Sequence, residues 1–320
     1  MAGVGAIYSE RCGIVNIGLE GMMVIGTWFG AWAGWFYGPW YGVLAGLLGG
    51  ALFGLIHAVG TITFQVDHIV SGVAINILAA GVARFLSVVA YADVPAGGAT
   101  QSPRVDERIE KISIPYLSGG KINESDTADV FGSLEALDLF LISDLFGLLG
   151  GLTRNISYFS ILAILLVPVS VWILWSTSFG LQLRSVGEYP VGSESVGVNV
   201  YLMKYIGVTI SGAFAGLAGA YLVIESAGIY REGQTGGRGF IGLAAMIFGN
   251  WKPLGTFLGS SLFGYADSLQ LRSEESVHGL LIIIVCVLFI VGIRSFIKKN
   301  LRTAISVSYT HLRAHETYRD

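Results

Sequence analysis

Ionisable and amide side chains are so sparse in this chain that each one set in an apolar surround is a candidate for chemistry. Near the amino end, SERCGIVNIGLEGMM brings Glu10, Arg11, Asn16 and Glu20 beside a long apolar run. Asn16 and Glu20 are four residues apart and share a face if the segment is helical. A carboxylate and an amide in such a place are costly unless paired or hydrated, which marks them as a functional pair. The competing reading is an internal ion pair with Arg11 that fixes a helix end. Asn76 and Arg84 interrupt a second apolar run and must face protein or water. Asp67 and His68 fall at a sharp turn between two runs, where solvation accounts for them.

The richest polar stretch is ESAGIYREGQTGGRGFIGLAAMIFGNWKP, Glu225 to Pro253. Its glycines give backbone flexibility, and Gln234, Thr235 and Arg238 offer hydrogen bonds at the outer mouth of a short helix. Gly237, Gly239 and Gly242 spell G-x-G-x-x-G, but dinucleotide binding needs that motif after a strand inside a βαβ unit, and none precedes it. No G-x-x-x-x-G-K-[ST] occurs, so energy from nucleotide hydrolysis has to come from another subunit. No nucleophile with a base and no metal-ligand cluster stands out, which argues against an enzyme and against a bound metal or other cofactor. Cys12 and Cys286 lie far apart in apolar surroundings and read as reduced packing residues.

The elements that must position these groups follow from composition. Hydrophobic residues are 53% and charged residues 13% of the 320, and neither Gly21 to Val66 nor Ile156 to Leu183 contains an Asp, Glu, Lys or Arg. Such runs are membrane spans, and continuous runs are helices rather than barrel strands. The expected fold is an all-α, polytopic transmembrane helical bundle. Spans are expected at 22–38, 40–63, 69–91, 157–177, 204–224, 254–270 and 278–295, with a shorter run at 238–250. A net charge of only −3 leaves no basic surface for nucleic acid.

Arg294, Lys298, Lys299 and Arg302 follow the last span, which puts the carboxyl end in the cytoplasm. The stretch 92–155, with five basic against ten acidic residues, belongs outside. Parity then makes 238–250 a crossing or part of a broken one, and discontinuous helices commonly line substrate routes. Gly26, Gly30, Gly34 and Gly38, like Gly42, Gly46, Gly50 and Gly54, recur every four residues and form stripes for close helix packing, as do Gly212 with Gly216 and Gly255 with Gly259. Met1 to Ile7 reads as the last turns of a helix whose beginning is missing. Residues 306–320, with His311 and His315, read as translated adaptor or vector sequence, leaving 1–305 as the transmembrane domain.

Between two spans lies TSFGLQLRSVGEYPVGSESVGVNVYLMK, where Gly187, Pro190, Gly192 and Gly197 bracket a short cytoplasmic helix that either docks to a partner or merely connects. ERCGIVNIGLEGMM, DHIVSGVAINILAAG, FGLQLRSVGEYPVGSESVGVNV and GGRGFIGLAAMIFGNWKPLG, in that order, resemble the permease subunit of an ABC-type importer. The nearest group is the branched-chain amino acid and simple-sugar permease superfamily, in its nucleoside or simple-sugar branch. The resemblance covers residues 5 to 300. It implies two cytoplasmic ATP-binding subunits that hold the ATP, a second related permease, an extracytoplasmic substrate-binding lipoprotein, and a bacterial-type cell membrane. The loop 184–199 becomes the ATPase-coupling region, carried by Arg184, Gly187, Glu188 and Gly197, while Asn16, Glu20, Asn76, Gln234, Thr235 and Arg238 become the substrate pathway. Gly192 and Ser193 stand where alanines are usual, which weakens that helix. The rival reading is a self-contained secondary transporter or channel with Glu20, Asn76 and Arg84 as an ion route; a branched-chain amino acid is the alternative cargo. Cysteines at Ser125 and Ser193 are expected to label from opposite sides of the membrane.

Overall fold

A computed structural model describes residues 1–271 apart from 123, 124, 138–141 and 152. The expected span at 278–295, Cys286, the basic cluster and the tail lie outside the described residues. The chain divides into two compact units, Met1–Ser261 and Leu262–Asp320; of the second, only the ten residues closing the last described helix belong to the described part.

The first unit is an α-helical membrane bundle. A short helix α1 (Ala2–Arg11) leads through an irregular loop into α2 (Leu19–Tyr37). Gly38, at φ +100°, is the whole connection to α3 (Pro39–Ala58), whose last turn loosens into a π-helix over Val59–Thr63. Next comes α4 (His68–Tyr91), where the Asp67 carboxylate accepts from the Ile69 and Val70 amides, so Asp67 is a helix cap rather than only a solvated turn residue. Among the described residues, four segments are long and apolar enough to cross a membrane: Pro39–Thr63, His68–Tyr91, Tyr158–Ser176 and Val200–Ala227. The helices at the expected spans 22–38 and 254–270 are not among them. The face of α4 carrying Ile69, Val73, Ile77 and Phe85 is uncovered in the single chain, as a lipid-facing or partner-facing surface must be.

The described part of 92–155 packs against the helices through Val105 and Ile109. Two short antiparallel ladders, β1 (Lys111–Ile112) with β4 (Ile156–Ser157) and β2 (Lys121–Ile122) with β3 (Ser125–Asp126), accompany α5 (Val130–Glu135) and α6 (Ile142–Gly151). Arg154 donates to Asp129 at 2.6 Å and reaches Glu135 at 3.5 Å, and this guanidinium holds the Asp129 carboxyl below its ordinary value. Its stabilisation is present at neutral pH and disappears as pH falls through that lowered value.

Then come α7 (Tyr158–Ser176), α8 (Ser178–Glu188), α9 (Pro190–Ser195), α10 (Val200–Tyr221, continued by a π-helix over Leu222–Ala227), α11 (Arg238–Phe248) and α12 (Pro253–Leu271). The glycine stripes do what their spacing predicts. A Cβ on Gly42 would lie 2.5 Å from the Gly30 carbonyl, one on Gly46 2.7 Å from the Ala220 methyl, and one on Gly54 2.9 Å from the Val208 carbonyl; Gly26 and Gly50 meet the backbone of Gly216 and Gly212 directly. Helices α2, α3 and α10 therefore touch backbone to backbone. Gly38 is the exception to its series, being a turn and not part of a packing stripe. Gly255 and Gly259 seat α12 against Gly249 and Ala245.

Gly216→Val should destabilise the purified protein by about 1–3 kcal/mol or more, the usual range for overpacking. Gly81→Ala, where a Cβ meets open space, should leave the thermal transition unchanged or slightly raised. Fluorescence-detected unfolding in detergent checks both; equal behaviour of the two variants would contradict the close-packing account.

Candidate functional site

The polar residues near the amino end converge, although not as one helical face. Gly13–Gly18 is irregular backbone between α1 and α2, so Asn16 lies in a loop and only Glu20 is helical. Irregular backbone inside an apolar bundle must find side-chain partners. His68 Nδ1 accepts from the Val15 amide at 3.3 Å. His57 Nε2 lies 3.3 Å from the Val15 carbonyl and Nδ1 lies 2.8 Å from the Ser71 hydroxyl. A carbonyl only accepts, so Nε2 carries the His57 proton and Nδ1 accepts from Ser71. Asn76, on α4, donates to the Ile17 carbonyl at 3.2 Å and accepts from the Gly21 amide at 2.7 Å, capping α2 from a neighbouring helix. Asn16 is fully buried, donates to Ser211 at 3.0 Å and Met22 sulfur at 3.3 Å, and leaves its carbonyl oxygen unpartnered.

Glu20 takes part in no ion pair with Arg11. Its Oε1 accepts from Thr235 Oγ1 at 2.5 Å and the Gly237 amide at 3.0 Å, and its Oε2 from the Gly239 amide at 2.7 Å. Gly237 caps α11, so a carboxylate from α2 supplies the acceptors that the amino end of α11 needs and sits at its positive pole. Only glycine permits this approach, because a Cβ on Gly239 would lie 2.6 Å from the Glu20 Cα. Thr235 is accordingly buried rather than at an outer mouth. Gln234 accepts from the Arg231 amide at 2.6 Å and keeps a buried, unpartnered Nε2, while Arg238 reaches back to the carbonyls of Gln234 and Thr235 at 3.4 Å. Thus Asn16, Glu20, Asn76 and Thr235 are joined around the start of α2, with Gln234 and Arg238 flanking them.

Depth along α4 locates the break. Asn76 is about 12 Å along that helix from His68, and Arg84, which pairs with Glu232 at 3.6 Å, is about 12 Å further. The chain therefore descends from Glu232 to Gly237 without a helix, and α11 continues the same crossing. Eleven residues of α11 cover only about 16 Å of a roughly 30 Å core. The non-helical part is strapped by residues 100–105: Val105 donates to the Gly228 carbonyl at 2.9 Å, Ser102 to Tyr230 at 3.1 Å and Glu232 to Thr100 at 2.8 Å.

The expected single coupling helix is two helices, α8 and α9, meeting at Tyr189. Arg184 bonds the Gly180 carbonyl at 3.3 Å and lies over the Trp175 ring. Gly187 is a packing position, since a Cβ there would collide with the Arg11 carbonyl. Glu188 is exposed, and Gly197 adopts φ +88° with open space around it. Helix α9 forms despite Gly192 and Ser193; the Ser193 hydroxyl bonds back to the Tyr189 carbonyl at 3.0 Å, and Ser193 is buried and so unsuited to labelling. A cavity of about 310 Å³ separates α9 from the Gly13 loop, lined by Thr61, His68, Pro190, Glu194 and Lys204. Among the described residues no group of His, Cys, Asp and Glu could hold a metal ion. Sequence reasoning missed His57, Ser71 and Ser211, each a single polar residue in an apolar run, which is the signal that could have found them.

The chain is 39% identical over 278 residues to the guanosine ABC transporter permease protein NupQ of Bacillus subtilis, covering 85% of this chain and 77% of that one. It is 37% identical over 273 residues to the nucleoside ABC transporter permease protein NupC of Lactococcus lactis, covering 83% and 76%. A Haloferax volcanii protein assigned as a glucose ABC transporter permease is 30% identical over 279 residues, covering 86% and 74%. No solved structure matches significantly. Residues 1–291 match the family profile for the permease component of the branched-chain amino acid transport system, and the chain belongs to that family.

Proposed function

We propose that this chain is the membrane permease subunit of an ATP-driven ABC importer that carries a nucleoside, delivered by an extracytoplasmic substrate-binding lipoprotein in a bacterial-type cell membrane. It works with two cytoplasmic ATP-binding subunits and a second, related permease. The observation that carries the reading is the broken crossing 228–248 with its Glu20 anchor. A helix that stops inside the bundle, held by one carboxylate and three donors, is a movable element with two defined ends, and such elements border substrate routes. The names borne by the relatives above support a nucleoside over a sugar. The exposed Glu188 and the left-handed turn at Gly197 suit α8–α9 to an ATPase surface.

Proteoliposomes holding the complete complex should take up labelled guanosine only with ATP and binding protein present. Uptake driven by an ion gradient without the ATPase would overturn the reading in favour of a secondary transporter, and glucose or leucine uptake would move the cargo. Cysteine at Ala128 should react with an impermeant thiol reagent on intact cells, whereas cysteine at exposed Ser195 should not, in a background lacking Cys12 and Cys286. The reverse pattern would invert the assigned orientation.

Glu20→Gln puts an amide NH₂ against backbone donors, and an unpaired buried donor costs about 1–3 kcal/mol. Uptake is expected to fall roughly tenfold, the equivalent of about 1.4 kcal/mol, with the ATPase subunits still co-purifying; normal uptake would remove the Glu20 anchor from the mechanism. Glu188→Lys should weaken ATPase co-purification. Gly197→Val should impair uptake because a β-branched residue resists φ +88°, and normal uptake with an intact complex in both would make α8–α9 a passive connector.

A further inference from the structure

We infer that Trp175 is a positioning residue for energy coupling, its ring contacted by the guanidinium groups of both Arg11 and Arg184 and so tying the α8 element to α1 and to the far end of α11. The inference rests on the importer reading above. Thr177 is the only residue between α7 and α8, ending one helix while its hydroxyl accepts from the Gly180 amide at 3.1 Å to start the next. The corner is tight because a Cβ at Gly180 would strike the Ile173 and Leu174 carbonyls. Arg184, about two turns into α8, lies over the Trp175 ring at 5.6 Å from its centroid, and Arg11, at the end of α1, lies over the same ring at the same distance. Arg11 also donates to the Trp251 carbonyl at 3.1 Å, in the turn between α11 and α12, and its Nε is buried without a partner.

The consequence is a route for motion. Gly187 of α8 rests on the Arg11 carbonyl, and a Cβ there would lie 3.0 Å from the Gly13 amide, so α8 already abuts the start of the loop that carries Asn16. The indole adds a second connection, from α8 through Arg184, Trp175 and Arg11 to the Trp251 turn. That turn terminates α11, whose other end is fixed by Glu20. A displacement of α8 by a docked ATPase thus reaches both ends of the broken crossing through rigid elements. Attraction between a guanidinium and an aromatic face is strongest for tryptophan and persists for phenylalanine, which separates this role from plain volume. A tryptophan near a helix end is also a common membrane-interface anchor, and an anchor predicts no change in coupling.

The test compares labelled guanosine taken up per ATP hydrolysed by the complete complex in proteoliposomes, for wild type, Trp175→Phe, Trp175→Leu and Arg184→Gln. Trp175→Leu should lower that ratio about fivefold or more while ATPase subunits remain bound, and Trp175→Phe should keep at least half of it. Arg184→Gln should also lower it, which serves if Trp175→Leu does not assemble. A wild-type ratio in Trp175→Leu or in Arg184→Gln, or equal losses in the Phe and Leu variants, would overturn the clamp and leave the permease reading intact. Absence of ATP-driven uptake in the wild type would instead remove the permease reading, and the clamp with it.

Discussion

The inner half of this bundle depends on one contact, the Glu20 carboxylate seated on the amino end of α11. A helix that begins inside an apolar bundle exposes amides that lipid cannot satisfy, and each would cost several kcal/mol if left bare. Glu20 meets two of them together with the Thr235 hydroxyl, and the field of α11 favours the charge. The same side chain lies in the first turn of α2, so one carboxylate complements two helix ends. Without it there is no reason for α11 to start where it does, and the crossing could not be broken at that depth.

The same rule of backbone satisfaction explains the crowd around Gly13–Gly18. Side chains from three helices complement it: His57 of α3 and His68 of α4 bond the Val15 backbone, Asn76 of α4 the Ile17 carbonyl, and Ser211 of α10 the Asn16 side-chain amide. These residues would be liabilities on lipid-facing positions. On α3 and α10, His57 and Ser211 are tolerated because the glycine faces of α2, α3 and α10 bring backbones close enough to bury them. Close packing and polar satisfaction are therefore one design: the former builds the dry interior, and the latter makes irregular backbone possible within it.

The sequence displays the first half of that design well and the second half poorly. Helix positions and glycine contacts were legible, since uncharged runs and four-residue glycine spacing map directly onto helices and their faces. Asn16, Glu20 and Asn76 were legible as misplaced polar residues. Their partners were not, because Glu20 meets Thr235 and Gly239 more than two hundred positions away and no local pattern encodes that distance. The helical pairing of Asn16 with Glu20 failed for the same reason: loop backbone held by remote side chains looks, in sequence, like the start of a helix. Arg184 reads in sequence as a charge in a connecting loop, and nothing local signals the aromatic ring it lies over.

A broken crossing fixed by side chains from elsewhere has a further property that a continuous helix lacks. Moving a continuous helix strains its whole ladder of hydrogen bonds, whereas α11 ends in discrete joints at Gly237 and at Asn250–Trp251, where the backbone takes positive φ. The first joint meets Glu20, and the stretch before it is strapped to residues 100–105. The second joint meets Arg11, which already contacts the α7–α8 corner through Trp175. The 100–105 strap, the interior carboxylate and the α8 corner are thus mechanically in series along one eleven-residue helix. Two surfaces far apart can then bias the same element without any conformational change in the glycine-packed helices α2, α3 and α10, whose backbone contacts leave them no room to move independently.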